Sequence, residues 1–136
     1  MDSELYVPFF IFMILVNFVI PTTFLIFGII YSKRPPKKIN PYSGYRTALS
    51  MKNIDTWIFA HRVFGRILLL FGVILLLMAI VIGVFALIYC GIDTIIIITV
   101  AQSFFQLIFM FVSCVLVETS LRKKFDENGN IKNAHS

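Results

Sequence analysis

The sequence predicts an all-α, multi-pass membrane protein with three transmembrane helices, and three observations support this prediction. Of its 136 residues, 59% are hydrophobic and 14% are charged, whereas soluble domains are about one half apolar and one quarter charged. Uncharged stretches occur three times, each longer than the roughly 20 residues that cross the hydrocarbon as a helix. All Lys and Arg residues fall into two blocks, 33–66 and 122–132, a pattern typical of membrane topology.

The first predicted helix covers residues 5–32. A cleaved leader would carry positive charge before an apolar run of roughly 7–15 residues. Here Asp2 and Glu4 precede the run, which is about twice that length. We therefore expect the segment to stay in the membrane.

A proline interrupts this helix. Pro21 has no backbone N–H, so the carbonyl of Asn17 loses its usual donor. Thr22, Thr23 or the Asn17 side chain are the candidates to satisfy it. The pattern favours either a kink tolerated through neighbouring helices or a break that faces a ligand.

The next segment, 33–53, is a basic loop that sets the orientation. Residues 33–66 hold eight Lys or Arg residues against one acid, Asp55, while the N-terminus and the stretch around Asp93 hold none. The positive-inside rule therefore predicts an outside N-terminus and a cytoplasmic loop and C-terminus.

The second predicted helix covers residues 54–91 and is longer than a bilayer requires. Asn53 is a suitable cap, and Asp55 lies in the first turn, where negative charge is favoured. The first turns should project into the cytoplasmic interface, with Trp57 at the level of the headgroups.

Small residues recur every seven positions along this helix. Such a stripe lets two helix backbones approach closely in lipid. It predicts either an internal packing seam or a homodimer contact, formed by Gly65, Gly72, Ala79 and Ala86.

The third predicted helix covers residues 94–119, after a tight hairpin at Gly91–Asp93. Its polar side chains share one face, and we expect that face to bind other helices, to line a polar cavity or to contact a partner peptide. The face comprises Thr99, Gln102, Ser103, Gln106 and Ser113. Residues 1–121 would form one transmembrane domain, and the polar tail 122–136 is predicted to be disordered.

Several classes of function are disfavoured. His61 is the only histidine outside the tail, and the sequence holds no metal-ligand cluster, nucleophile–base pair or phosphate-binding glycine loop. We therefore expect neither catalysis nor a cofactor. Topology accounts for the positive charge, so nucleic acid is not an expected partner.

The stretch from residue 40 to residue 66 carries the most specific pattern. It reads Asn-x-x-x-Gly-Tyr-Arg-Thr-x-x-Ser from Asn40 to Ser50, then Trp-x-x-Ala-His-Arg-x-x-Gly from Trp57 to Gly65. This pattern resembles the signature of the SdpI-like family of small bacterial membrane proteins. The resemblance implies a location in the bacterial cytoplasmic (plasma) membrane and a role in immunity against a secreted toxic peptide.

We expect this motif to bind a membrane-active peptide, anionic lipid headgroups or a cytoplasmic regulator; simple anchoring at the interface is the competing interpretation. The alternatives in other classes are an oligomeric transporter or channel subunit, and a signalling protein that docks a regulator. A homo-oligomer is compatible with each. The candidate binding residues are Asn40, Gly44, Tyr45, Arg46, Thr47, Ser50, Trp57, His61 and Arg62.

Overall fold

The computed structural model describes residues 3–132 and has three long helices. They are α1 (Ser3–Lys33), α2 (Ile54–Tyr89) and α3 (Ile92–Lys124). Each contains a stretch long and apolar enough to cross a membrane, and no strand occurs within residues 3–132. The predicted all-α architecture with three membrane-spanning helices is therefore confirmed. We call the end that carries residues 34–53 the loop end, and the end at Gly91 the hairpin end.

A capping box starts α2 at the loop end. Asn53 accepts a hydrogen bond from the backbone N–H of Thr56 at 2.9 Å, and the Thr56 hydroxyl accepts one from the N–H of Asn53 at 3.2 Å. These bonds satisfy two backbone groups that the helix itself leaves unpaired. The helix therefore begins where the sequence predicts.

The stripe of small residues on α2 forms an internal seam. A Cβ on Gly65 would collide with the backbone of Ser32 in α1, and one on Gly28 of α1 would lie 2.8 Å from the backbone nitrogen of Leu69. Ala79 and Ala86 are also buried. In lipid, close backbone contact of this kind is what holds helices together. The internal interpretation of the stripe thus fits the structure.

The carbonyl that Pro21 leaves free in α1 receives a hydrogen bond from another helix. Gln106 of α3 donates from Nε2 to the Asn17 carbonyl at 3.0 Å, the carbonyl that Pro21 leaves without a donor. The local candidates act elsewhere: Thr23 donates to Val19 and the Asn17 amide donates to Met13. The expected local partner was therefore wrong, because Gln106 on the polar face of α3 supplies the donor for this carbonyl.

Helix α3 continues to Lys124, five residues beyond its predicted end at 119. Val117, Leu121 and Phe125 are buried on one continuous face that packs against the loop and the start of α2. This face keeps the helix going after the apolar run has ended. The cations in its last turn also suit the negative end of the helix dipole.

The tail, predicted to be disordered, folds back over residues 125–132. Phe125 and Ile131 form an antiparallel bridge, and Asp126 accepts from the backbone of Asn128 and Asn130. The Asn130 N–H lowers the pKa of the Asp126 carboxyl. Turn-forming residues thus outweigh the absence of periodicity; residues 133–136 lie outside the described range.

Candidate functional site

The loop of residues 34–53 lies against the bundle as part of its core. Tyr45 and Leu49 from the loop pack with Ala60 of α2 and Leu121 of α3 in one buried cluster. The start of α2 is therefore covered by loop on one side and by α3 on another. This packing determines which side chains of the site are buried and which are exposed.

His61 is the centre of the contact between loop and helix. Its side chain is fully buried. Nε2 accepts a hydrogen bond from the backbone N–H of Tyr45 at 3.1 Å, and Nδ1 lies 2.8 Å from the carbonyl oxygen of Trp57. Because a carbonyl only accepts, Nδ1 must carry the proton, and these bonds assign His61 as the neutral Nδ1–H tautomer. Both ring nitrogens are occupied within the protein.

Gly44 is fixed by the same histidine. Its φ angle is +106°, in the region that side chains disfavour, and a Cβ there would collide with Nε2 of His61. Only glycine allows both the turn and this close approach. The Gly44-Tyr45 step of the motif is thus the means by which the loop reaches His61.

Tyr45 ties the loop to α3 as well. Its hydroxyl donates to the Cys114 carbonyl at 3.0 Å, and its ring packs 5.3 Å from that of Phe64. Burial and the Glu118 carboxylate raise the pKa of the Tyr45 hydroxyl. It therefore remains a hydrogen-bond donor at neutral pH.

Thr47 and Ser50 close a short turn between Tyr45 and α2. The Thr47 N–H donates to the Ser50 hydroxyl at 2.7 Å, and the Ser50 N–H donates to the Thr47 hydroxyl at 3.2 Å. Ser50 Oγ also donates to the Tyr45 carbonyl at 3.1 Å, and its own carbonyl accepts from Thr56 Oγ1. These bonds pair polar groups that would be costly to bury alone.

Trp57 is enclosed by the protein. Its side chain is fully buried, and its ring centre is 4.2 Å from that of His61. Within residues 3–132 its indole Nε1 has no hydrogen-bond partner. The indole is therefore not exposed as an interfacial anchor would be, and its depth in the membrane stays a prediction.

Three of the nine predicted site residues face outward. Arg46 and Arg62 are exposed, and Arg46 donates through Nη1 to the Pro41 carbonyl. Asn40 accepts from the Tyr42 N–H at 2.8 Å and donates to the Ser43 hydroxyl at 3.0 Å, which shapes the turn before Gly44. The motif thus has an inner part that fixes the loop and an outer part that presents cations. The inner residues are Gly44, Tyr45, Thr47, Ser50, Trp57 and His61.

Two aromatic neighbours of this site were not among the predicted site residues. Tyr31 of α1 packs edge-on to His61 with ring centres 5.1 Å apart, and Phe64 packs against both Tyr31 and Tyr45. Tyr31 ends an apolar run with an amphipathic ring, which was the available signal. All three helices therefore meet around the loop.

The buried histidine and the exposed arginines of the site differ in what they leave free. His61 has no free nitrogen with which to accept a proton or hold a metal. No group of three His, Cys, Asp or Glu side chains that could hold a metal ion occurs within residues 3–132. The guanidinium groups of Arg46 and Arg62, by contrast, are exposed.

Comparison with known proteins gives one match. The model of the SdpI/YfhL protein family matches residues 37–119, more than half of the chain. That range includes eight of the residues from Asn40 to His61 discussed here as well as Arg62. No curated protein and no solved structure matches.

Proposed function

Because the chain belongs to the SdpI/YfhL protein family, we propose that it is an immunity protein that protects a bacterial plasma membrane against a membrane-active peptide. Immunity is the role that gave this family its name. The chain itself is a small protein with three helices suited to the membrane.

The observation that carries the proposal is the locked loop. Hydrogen bonds from Tyr45 to His61 and from Ser50 to Tyr45 hold the backbone around Arg46, so that a ligand meets an already ordered surface. Preorganisation of this kind reduces the entropy lost on binding. A purely interfacial anchor would not require it.

The outward cations define what this surface binds. Arg46 and Arg62 are exposed, and Arg66 follows Arg62 on the same face of α2. Guanidinium groups bind phosphate and carboxylate oxygens with two parallel hydrogen bonds. We propose that they hold anionic headgroups, or acidic groups of the peptide, at the cytoplasmic side. Each basic residue near an anionic membrane contributes about 1 kcal/mol.

The first test is survival of cells that express the chain during challenge with a panel of membrane-active bacterial peptides. Arg46→Ala and Arg62→Ala should lose most of the protection, with unchanged amounts of protein in the membrane. Arg46→Lys should retain part of it, since charge remains but the planar fork is lost. Lys123→Ala is the matched control, because it removes one exposed cation outside the loop.

Protection by both arginine variants equal to that of the unmodified chain would disprove the functional role of the motif. A loss that Lys123→Ala shares would show that only total charge matters. Native mass spectrometry separates the two ligand sources: loss of bound phosphatidylglycerol from both arginine variants assigns the headgroup role. Unchanged lipid binding with lost protection would assign the peptide.

Docking of a cytoplasmic regulator is the alternative use of this surface. Tyr42 favours it, because its side chain is 88% exposed at the tip of the loop beside Arg46. The channel alternative gains less support, because Gln106 on the polar face of α3 is buried and bonded to α1. Tyr42→Ser with protection retained would argue against the docking alternative.

A further inference from the structure

The C-terminal turn, residues 125–132, is held against the rest of the protein at two points. Within this segment only Phe125 and Gly129 are buried, and the other residues are partly or fully exposed. At the first point, the Phe125 ring packs edge-on against the ring of Phe59 in α2, with centres 5.5 Å apart. The Lys124 ammonium lies 4.4 Å from the centre of the same Phe59 ring. A segment held at so few points can open locally while the rest of a protein stays folded.

The second point is a hydrogen bond between Gly129 and the residue that caps α2. Asn53 Nδ2 donates to the Gly129 carbonyl at 2.8 Å. The φ angle of Gly129 is +84°, and a Cβ at this position would lie 2.7 Å from Asn53 Nδ2 and 3.1 Å from Lys52 Cγ. Only glycine combines this backbone conformation with so close an approach. The turn therefore has the shape that brings its carbonyl to the cap of α2.

Asn53 also connects the C-terminal turn to the loop. Its Oδ1 accepts from the Thr56 N–H at 2.9 Å, and Thr56 Oγ1 donates to the Ser50 carbonyl at 3.2 Å. Ser50 Oγ donates to the Tyr45 carbonyl, and the Tyr45 N–H donates to His61. Hydrogen bonds therefore run from the turn to the centre of the site. A contiguous network of this kind can couple two segments when one of them has two states.

We propose that the C-terminal turn is a strap: docked on Asn53 it holds the start of α2 and keeps the loop around Arg46 ordered, and on release the loop loosens. The bond to Gly129 fixes the Asn53 amide in the orientation in which Oδ1 caps the helix. Without that bond the amide can rotate, which weakens the cap and the bonds beyond it. The turn lies outside the matched range 37–119, and its action does not depend on what the loop binds.

Hydrogen exchange of backbone amides tests the strap, measured by NMR on the full chain in detergent micelles. The Asp126 N–H, bonded to the Asn130 carbonyl at 2.9 Å, reports on the turn, and the Tyr45 N–H reports on the loop. Release should speed exchange at both amides, by about two- to tenfold at Tyr45, as expected for the loss of one hydrogen bond. The Ile95 N–H at the hairpin end should keep its rate, which separates release from general unfolding.

Two variants release the strap from opposite sides. Asn53→Asp keeps an oxygen that caps the helix but replaces the donor to Gly129 by a second oxygen. Gly129→Val leaves the capping residue intact and pushes the turn away through the added Cβ. Both should speed exchange at Tyr45. Asn128→Ala is the matched control and should change neither rate, because its side chain is exposed in the same turn and the Gly129 carbonyl stays in place.

Faster exchange at Asp126 with unchanged exchange at Tyr45 in both variants would overturn the proposal, because the turn would then open without affecting the loop. Unchanged exchange at both amides would overturn it as well, since the bond to Asn53 would then not hold the turn. An equal increase at Tyr45 in Asn128→Ala, or at Ile95 in the two variants, would have the same consequence. Should Gly129→Val fail to fold, Asn53→Asp alone decides, because it conserves both the shape of the side chain and the cap.

Discussion

At the scale of single residues, the motif works through one histidine whose nitrogens are both used. The Tyr45 N–H and the Trp57 carbonyl take up opposite sides of the His61 ring. Gly44 precedes this contact with a φ angle that other residues disfavour. The loop is therefore positioned by a glycine and a histidine that are 17 positions apart in the sequence.

Replacing Gly44 tests whether the position of the loop depends on glycine at this site. In Gly44→Ala the added Cβ collides with His61 Nε2, and the left-handed backbone adds strain, so we expect the free energy of unfolding to fall by about 1–3 kcal/mol. Thermal unfolding in detergent would measure it. Gly91→Ala is the control, because its Cβ meets nothing within 4 Å and its φ angle is −74°. Equal stability of the two variants would contradict the assigned role of Gly44.

The sequence identified the motif residues but did not show which of them are buried and which are exposed. All nine lie in one stretch, and the same pattern fits a binding surface or an internal lock. Trp57 shows the difficulty: an aromatic residue at a helix start beside arginines is typical of the interface, yet its side chain is fully buried in the protein. Which face of α2 the loop covers depends on contacts with residues as distant as Cys114 and Leu121.

At the scale of helices, α1 and α3 are joined by a hydrogen bond between a side chain of α3 and a backbone carbonyl of α1. Pro21 frees the Asn17 carbonyl, and Gln106 supplies the donor. The sequence identified the free carbonyl, because the proline rule is local. It could not identify a partner 89 positions away.

A double-mutant cycle tests this bond. Gln106→Met in the natural chain should lower the free energy of unfolding by about 0.6–2 kcal/mol, because it leaves the carbonyl unpaired. In a Pro21→Ala background the helix regains its own donor, so the same change should cost less. Denaturant titration of the four proteins gives the coupling energy. Equal losses in both backgrounds would show that Gln106 does not act through Asn17.

The spans of the helices were predicted well and their ends less so. Length and apolarity determine where a helix can cross the bilayer. The end of α3 at Lys124 depends instead on Leu121 and Phe125 packing against the loop. Contact of that kind follows from the folded arrangement and has no signal in the local sequence.

At the scale of the whole molecule, the distribution of charge predicts which end faces the cytoplasm. The loop end carries Lys33, Arg34, Arg46 and Arg62, while the hairpin end has no Lys or Arg. Translocation of basic loops is disfavoured, so we expect the loop end to lie inside.

Single-cysteine labelling measures this orientation. With Cys90 and Cys114 changed to Ser, Tyr42→Cys and Asp93→Cys place one exposed thiol at each end. A membrane-impermeant maleimide applied to intact cells should label residue 93 and leave residue 42 unlabelled until the cells are permeabilised. Labelling in the reverse order would invert the topology and remove the cytoplasmic role of the arginines.

The bond between Gln106 and Asn17 also bears on how the protein is made. Synthesis runs from the N-terminus, so α1 enters the membrane while Gln106 has yet to leave the ribosome. During that interval α1 holds a carbonyl without its native donor, and the close contact with α2 through Gly65 leaves that carbonyl unpaired. Helix α3, which is translated after α1, thus supplies a bond that α1 lacks, and a nascent chain that stops short of α3 retains an unpaired carbonyl in α1.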